Sequence, residues 1–136
     1  MSTIIKDYVV DTDVDVMALT ETWLTHDCVF DFTIRDITPS QYAFLHNPRI
    51  NRGGGGVGLL YKSSLKMERQ NQIETFRSFE YLEVIFSNVT VTRIIIVYRP
   101  PQSKTNCVSN SLFFEEFPVL LEHLATASGK LIGVIF

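Results

Sequence analysis

Cysteine is nearly missing from this chain: Cys28 and Cys107 are the only two in 136 residues. They are too few and too far apart for a disulfide framework or a zinc site, and both read as reduced thiols. Also missing is any apolar run of the roughly 18–20 uncharged residues needed to cross a bilayer. The N-terminus, Met1-Ser2-Thr3-Ile4-Ile5-Lys6-Asp7, has no basic stretch leading into an apolar one, as a secretory leader would. These absences predict an intracellular protein, nuclear or cytoplasmic, with no membrane association and no secretion. They also reduce the glycosylation pattern Asn88-Val89-Thr90 to a turn between strands. No internal repeat, linker or low-complexity segment breaks the chain. With 46% hydrophobic and 20% charged residues, it reads as one domain or a large piece of one.

The net charge of −3 is unevenly distributed. Up to Asp36, Asp7, Asp11, Asp13, Asp15, Glu21, Asp27, Asp31 and Asp36 face only Lys6 and Arg35, so the remainder is net positive. Arg49, Arg52, Lys62, Lys66 and Arg69 against Glu68 form a locally basic stretch that could meet phosphate or serve as a solvated face. The acidic overall balance argues against a dedicated, sequence-specific DNA-binding module.

Periodicity predicts alternating helices and strands. Ile4, Ile5, Tyr8 and Val9 give a helix over 3–11 behind Ser2, followed by a buried strand over 14–20. The segment 33–44, with Pro39, Tyr42 and Phe44, reads as extended chain near a turn, and His46 to Asn51 as a loop. Residues 57–61, 79–86 and 91–98 are rich in β-branched, aromatic and aliphatic side chains and read as strands. Pro100-Pro101 ends the last of these. Leu112, Phe113, Phe117, Leu120, Leu121 and Leu124 mark a helix over 111–127 that stops at Ser128-Gly129, and 131–136 reads as one more buried strand. The pattern implies an α/β layered fold with mixed sheets covered by helices.

Gly53-Gly54-Gly55-Gly56-Val57-Gly58 satisfies G-x-G-x-x-G, but a loop precedes it and a strand follows, the reverse of what phosphate binding at a helix N-terminus needs. No nucleotide cofactor is expected, and the run reads as a turn that leaves room for close packing. Two other residues could carry chemistry. Glu21 ends an apolar strand, where it is either the first exposed residue or a hard oxygen ligand for Mg²⁺. Tyr98 closes a strand before Arg99-Pro100, where it is either a core cap or a donor to a phosphate oxygen. Trp23 reads as packing; His26, His46 and His123 show no metal spacing.

Taken in order, the runs Met17-Ala18-Leu19-Thr20-Glu21-Thr22-Trp23-Leu24, Arg52 to Tyr61, Phe79-Glu80-Tyr81-Leu82-Glu83 and Ile96-Val97-Tyr98-Arg99-Pro100-Pro101 resemble the endonuclease/exonuclease/phosphatase family. More narrowly, they are similar to the apurinic-type endonuclease domain at the front of non-LTR (LINE-type) retrotransposon polyproteins. The resemblance implies a four-layer α/β sandwich, two mixed sheets flanked by helices, that nicks DNA phosphodiester bonds with Mg²⁺. It implies Glu21 as metal ligand and Tyr98 as a catalytic phosphate contact; Arg52 and Lys62, from the basic stretch, are the candidate nucleic-acid contacts.

The chain also departs from that family. It begins near the first helix, without the preceding strand and its Asn. Where the family has Gly-Asp-Phe-Asn, here Gly133 is followed by Val134-Ile135-Phe136, and the later Ser-Asp-His segment is absent. Residues 1–136 are therefore expected to form a partial four-layer sandwich, a single incomplete domain lacking its first strand and its C-terminal half, with little or no catalysis. The alternative is a non-catalytic nucleic-acid-binding or interaction module on the same scaffold. The oligomeric state stays open.

Overall fold

The computed structural model describes residues 2–22, 31–47, 55–101, 109–127 and 129–136. The chain divides into two compact units, 1–66 and 67–136. Trp23, His26, Cys28, Arg49, Arg52 and Cys107 lie outside the described residues.

In the first unit, α1 (Ser2–Thr12) leads into β1 (Val16–Thr20), followed by α2 (Asp31–Ile37), β2 (Tyr42–Asn47) and β3 (Val57–Lys62). The strands form an antiparallel sheet in the order β1-β3-β2. Central β3 is the best buried of the three, with Val57, Leu59 and Leu60 at most 1% exposed. α1 packs on α2, and Val9 and Ile37 are buried. The extended reading of 33–44 is thus wrong for its first half. Thr33, Ile34 and Ile37 mimic a strand in composition, but packing on α1 overrides that weak preference, and Pro39 ends the helix two residues after Ile37. Tyr42 is half-buried, and its hydroxyl donates to the Val14 carbonyl at 2.5 Å.

The register explains one glycine. Gly58 lies opposite both Leu19 and His46, and a Cβ there would come within 2.5 Å of the Phe44 ring. Phe44 lies across the space Gly58 leaves and stacks on His46, with ring centroids 5.4 Å apart. His46 and Asn47, read as loop from the breakers that follow them, belong to β2 because their backbones pair with Gly58 and Val57.

The second unit contains β4 (Met67–Arg69), β5 (Glu80–Ser87), β6 (Val91–Tyr98), α3 (Asn110–Thr126) and β7 (Lys130–Ile135), with sheet order β4-β5-β6-β7. The β6–β7 pair is parallel and the others antiparallel, so this sheet alone is mixed. Phe76, Phe79, Tyr81, Ile95, Val97, Leu120 and Leu124 form a core between sheet and α3, with Phe113 and Phe117 packed against it. Phe113 and Phe117 stack at 5.0 Å and meet Phe79 edge-on. The α3 N-terminus is capped by Ser109, whose hydroxyl accepts from the Leu112 amide at 3.3 Å.

β7 is not the buried strand its composition predicts. Leu131, Ile132, Ile135 and Phe136 are each about half exposed, and among the described residues β7 has one strand neighbour, β6. Apolar side chains on both faces are the mark of an interior strand, yet this one occupies a sheet edge. β4, at the other edge, is three residues long and carries Glu68 and Arg69, the usual protection of a true edge.

Candidate metal site

The ladder between β1 and β3 runs regularly to Thr20 and Val57 and then breaks. Glu21 adopts a left-handed φ of 53°, and the Thr22 amide donates to the Gly56 carbonyl at 3.5 Å. Two residues, Glu21 and Thr22, thus face one, Gly56. This is the pattern of a β-bulge, which bends a strand end and re-aims a side chain. A left-handed non-glycine residue costs of order 1 kcal/mol and persists only where its neighbours fix it. Here Gly56, at φ 95°, fits tightly against Thr22, and a Cβ at Gly56 would overlap the Thr22 hydroxyl. Asn47 completes this end of the sheet, since it and Thr20 both lie opposite Val57.

The Glu21 carboxylate is exposed at the carboxyl end of β1. The Thr22 hydroxyl oxygen is buried without a hydrogen-bond partner. One exposed carboxylate at a strand end is the kind of donor that suits Mg²⁺, which keeps several waters and commonly takes only one or two protein carboxylates. It does not make a closed protein cage: among the described residues no three His, Cys, Asp or Glu side chains cluster as a metal site.

Lys62 is placed elsewhere. It ends β3 at the opposite edge of the ladder, roughly 16 Å of strand from Val57 at about 3.3 Å per residue. Its ammonium pairs with Asp13 at 2.9 Å and Asp15 at 3.0 Å. Hydrogen bonds to Asp13 and Asp15 hold its pKa above the usual lysine range. The two carboxylates offset the charge that would meet a phosphate.

Tyr98 belongs to the second unit. It ends β6, 9% exposed, opposite Glu80 and on the sheet face shared by Leu82 and Ile96. The carboxyl ends of parallel β6 and β7 lie side by side, and the Arg99 amide donates to the Phe136 carbonyl at 3.2 Å. The Arg99 guanidinium donates to Asn110 and lies 4.5 Å from the Phe113 ring centre, tying the strand end to α3.

On the α3 face of this sheet lies a charged cluster that the sequence reading passed over. Glu83, 2% exposed, accepts from Arg93 at 2.8 Å and bonds His123 at 3.0 Å. His123 is therefore a structural side chain of α3. The available signal was a Glu in the middle of an apolar strand, which must be paired to be buried. At the first site, Thr22, Asn47 and Gly56 were missed as well. The only hint was a glycine run ending where a strand begins.

No protein-family model and no curated protein matches the sequence. Solved structures do match. The chain is similar to the AP endonuclease LMAP from Leishmania major, with TM-score 0.63 and 16% identity over 98% of this chain and 49% of that one. It is also similar to ANGEL2, a 2',3'-cyclic phosphatase, with TM-score 0.51 and 13% identity over 96% of this chain and 41% of that one. The chain thus shares the α/β fold of these two structures, over a span of about half the length of each or less.

Proposed function

We propose that this chain carries the metal-binding position of a phosphodiesterase scaffold, of the kind that serves LINE-type retrotransposons as a Mg²⁺-dependent DNA-nicking endonuclease, and that by itself it hydrolyses little or no DNA. The observation that supports this most directly is the bulge at the end of β1, which holds Glu21 in a strained conformation. Strain of this kind concentrates at functional sites. Glu21 is the residue that would hold Mg²⁺, which when bound would offset charge on a phosphate oxygen. Tyr98 is assigned, in the same proposal, the role of donor to a phosphate oxygen.

Among the described residues no three His, Cys, Asp or Glu side chains cluster as a metal site, and Glu21 is the one carboxylate this reading assigns to the metal. Positioning a nucleophile accounts for a large part of hydrolytic rate, so one metal ligand without it leaves little acceleration. The test is a nicking assay on supercoiled plasmid in Mg²⁺. No nicking above background is expected; nicking that Glu21→Gln abolishes would show a competent active site instead.

The second reading is a non-catalytic nucleic-acid-binding module. It is favoured by Lys66 and Arg69, which lie exposed near Lys62 in sequence. Arg52 and Lys62 are the contacts it would use. Because Lys62 is held by Asp13 and Asp15, Lys62→Ala should change DNA affinity little. A marked loss, with a shallower salt dependence, would favour this module.

A further inference from the structure

The edge strand β7 carries a glycine that its own fold does not use. Gly56, Gly58 and Gly129 each face an atom that a Cβ would strike, whereas a Cβ at Gly133 would meet nothing within 4 Å. Glycine inside a strand is unfavourable in entropy and packing, and it often marks a place where another backbone approaches closely. The open side of β7 can also be assigned group by group. The Phe136 amide donates to the Val97 carbonyl at 2.9 Å and the Phe136 carbonyl accepts from the Arg99 amide at 3.2 Å, so both main-chain groups of Phe136 face β6. The β6–β7 register is unbroken and main-chain direction alternates along a strand, so Ile132 and Val134 face β6 as well. Leu131, Gly133 and Ile135 therefore turn their amides and carbonyls to the open edge. Lys130 is the only charge on β7, and at the start of the strand it leaves the rest of that edge unprotected.

We propose that β7 pairs antiparallel with β7 of a second copy of this chain, about a two-fold axis at Gly133. Leu131 then lies opposite Ile135 of the second copy, Gly133 opposite Gly133 and Ile135 opposite Leu131, and each of these pairs exchanges two main-chain hydrogen bonds. A second copy fits this edge in three respects. Ile132 lies opposite Val134, so every pair from 131 to 135 is apolar and no charge enters the seam. Leu131 and Ile135, on the sheet face of Arg93 and Val97, are 49% and 60% exposed, and Ile132 and Phe136, on the other face, are 53% and 52% exposed, so the pairing covers apolar surface on both sides. The joined sheet also ends on each side in β4, whose shortness and whose Glu68 and Arg69 already protect it. The exposed halves of these four side chains offer roughly 400 Å² per copy, below the ~800 Å² per partner of a standard interface, so the dimer is weak and concentration-dependent.

The experiment follows the full chain by analytical ultracentrifugation across a wide concentration range, where a reversible monomer–dimer equilibrium is expected. Leu131→Lys and Ile135→Glu should each weaken it at least about tenfold, because each brings two unpaired charges to an apolar seam. Mixing the two variants should restore dimers, since position 131 of one copy then meets position 135 of the other. Cross-linking tests the register separately. With Cys28→Ser and Cys107→Ser in place, Gly133→Cys should form a disulfide-linked dimer on mild oxidation and Ile135→Cys should not, because only position 133 lies opposite itself. A monomer at every concentration would overturn the proposal and leave the edge to a segment of other sequence. Dimers indifferent to both charged variants, no recovery on mixing, or cross-linking as ready at Ile135→Cys as at Gly133→Cys would overturn it too. So would association that continues past the dimer, the mark of a sticky apolar surface rather than a paired strand.

Discussion

The buried carboxylate of Glu83 makes an asymmetric prediction about stability. Glu83 is 2% exposed, whereas the side chains of its partners Arg93 and His123 are 18% and 31% exposed. Arg93→Met leaves a buried carboxylate with only His123 beside it, and stripping a partner from a buried ion costs about 3–5 kcal/mol. Because water can still reach the edge of this cluster, about 3 kcal/mol is expected. Glu83→Gln preserves the shape and leaves Arg93 and His123 already partly hydrated, so about 1.5 kcal/mol is expected, the low end for one charged hydrogen bond. Once Glu83 is neutral, Arg93→Met removes much less, and the double variant should lie at least 1 kcal/mol short of the sum of the singles. The assay is hydrogen exchange of the full chain in urea, read on amides of β5, β6 and α3, so that the second unit is followed separately from the first. Equal losses for the two single variants, or strict additivity, would refute the picture of a buried carboxylate held by two half-wet partners.

Three other substitutions test separate parts of the fold. Gly58→Ala puts a methyl within 2.5 Å of the Phe44 ring and should cost about 1–3 kcal/mol in urea unfolding, with part of the loss recovered by Phe44→Leu. Glu116 accepts from the Arg77 amide at 3.0 Å and the Ser78 amide at 2.8 Å. Burial pushes its pKa up, but hydrogen bonds from Ser78 and the Arg77 amide, with the Arg77 charge, outweigh burial and hold it below the ordinary glutamate range. A depressed folded-state pKa gives stability that is present above the unfolded value, about 4.3, and lost as pH falls below it. Glu116→Gln should therefore flatten the acid limb of a thermal-stability profile below about pH 4.5 and leave its neutral shape unchanged. Ile132→Lys places a charge on the apolar edge strand β7 and should lower light scattering of concentrated samples; unchanged scattering would mean that this edge does not drive association.

Strand runs with dense β-branched content were readable from sequence almost to the residue: β6 spans Val91–Tyr98 as expected, and α3 is displaced by one position. Their composition is decided by a core they touch directly, on the Ile95 and Val97 side of β6 and the Leu120 and Leu124 stripe of α3. Where composition and context pull apart, the sequence misleads. α2 looks extended because Ile and Thr are weak helix formers, and only its packing on α1 decides the matter. β4 has three residues, too few for any periodicity to show. β7 has the pattern of an interior strand and the exposure of an edge, a conflict visible only once its neighbours are known. At the candidate site, a strand ending in a carboxylate marked out Glu21. The bulge did not show, because a left-handed φ at glutamate has no sequence signature, and the roles of Thr22, Asn47 and Gly56 follow from pairing across the chain.

The most direct test of a metal position at Glu21 is a titration of the isotopically labelled full chain with Mn²⁺, following paramagnetic broadening of its amide resonances. Broadening should begin at Glu21, Thr22 and Gly56, spread to Asn47, and disappear in Glu21→Gln. Broadening centred instead on Asp13 and Asp15, or unaffected by Glu21→Gln, would refute the assignment and leave the bulge as a structural feature of the sheet end.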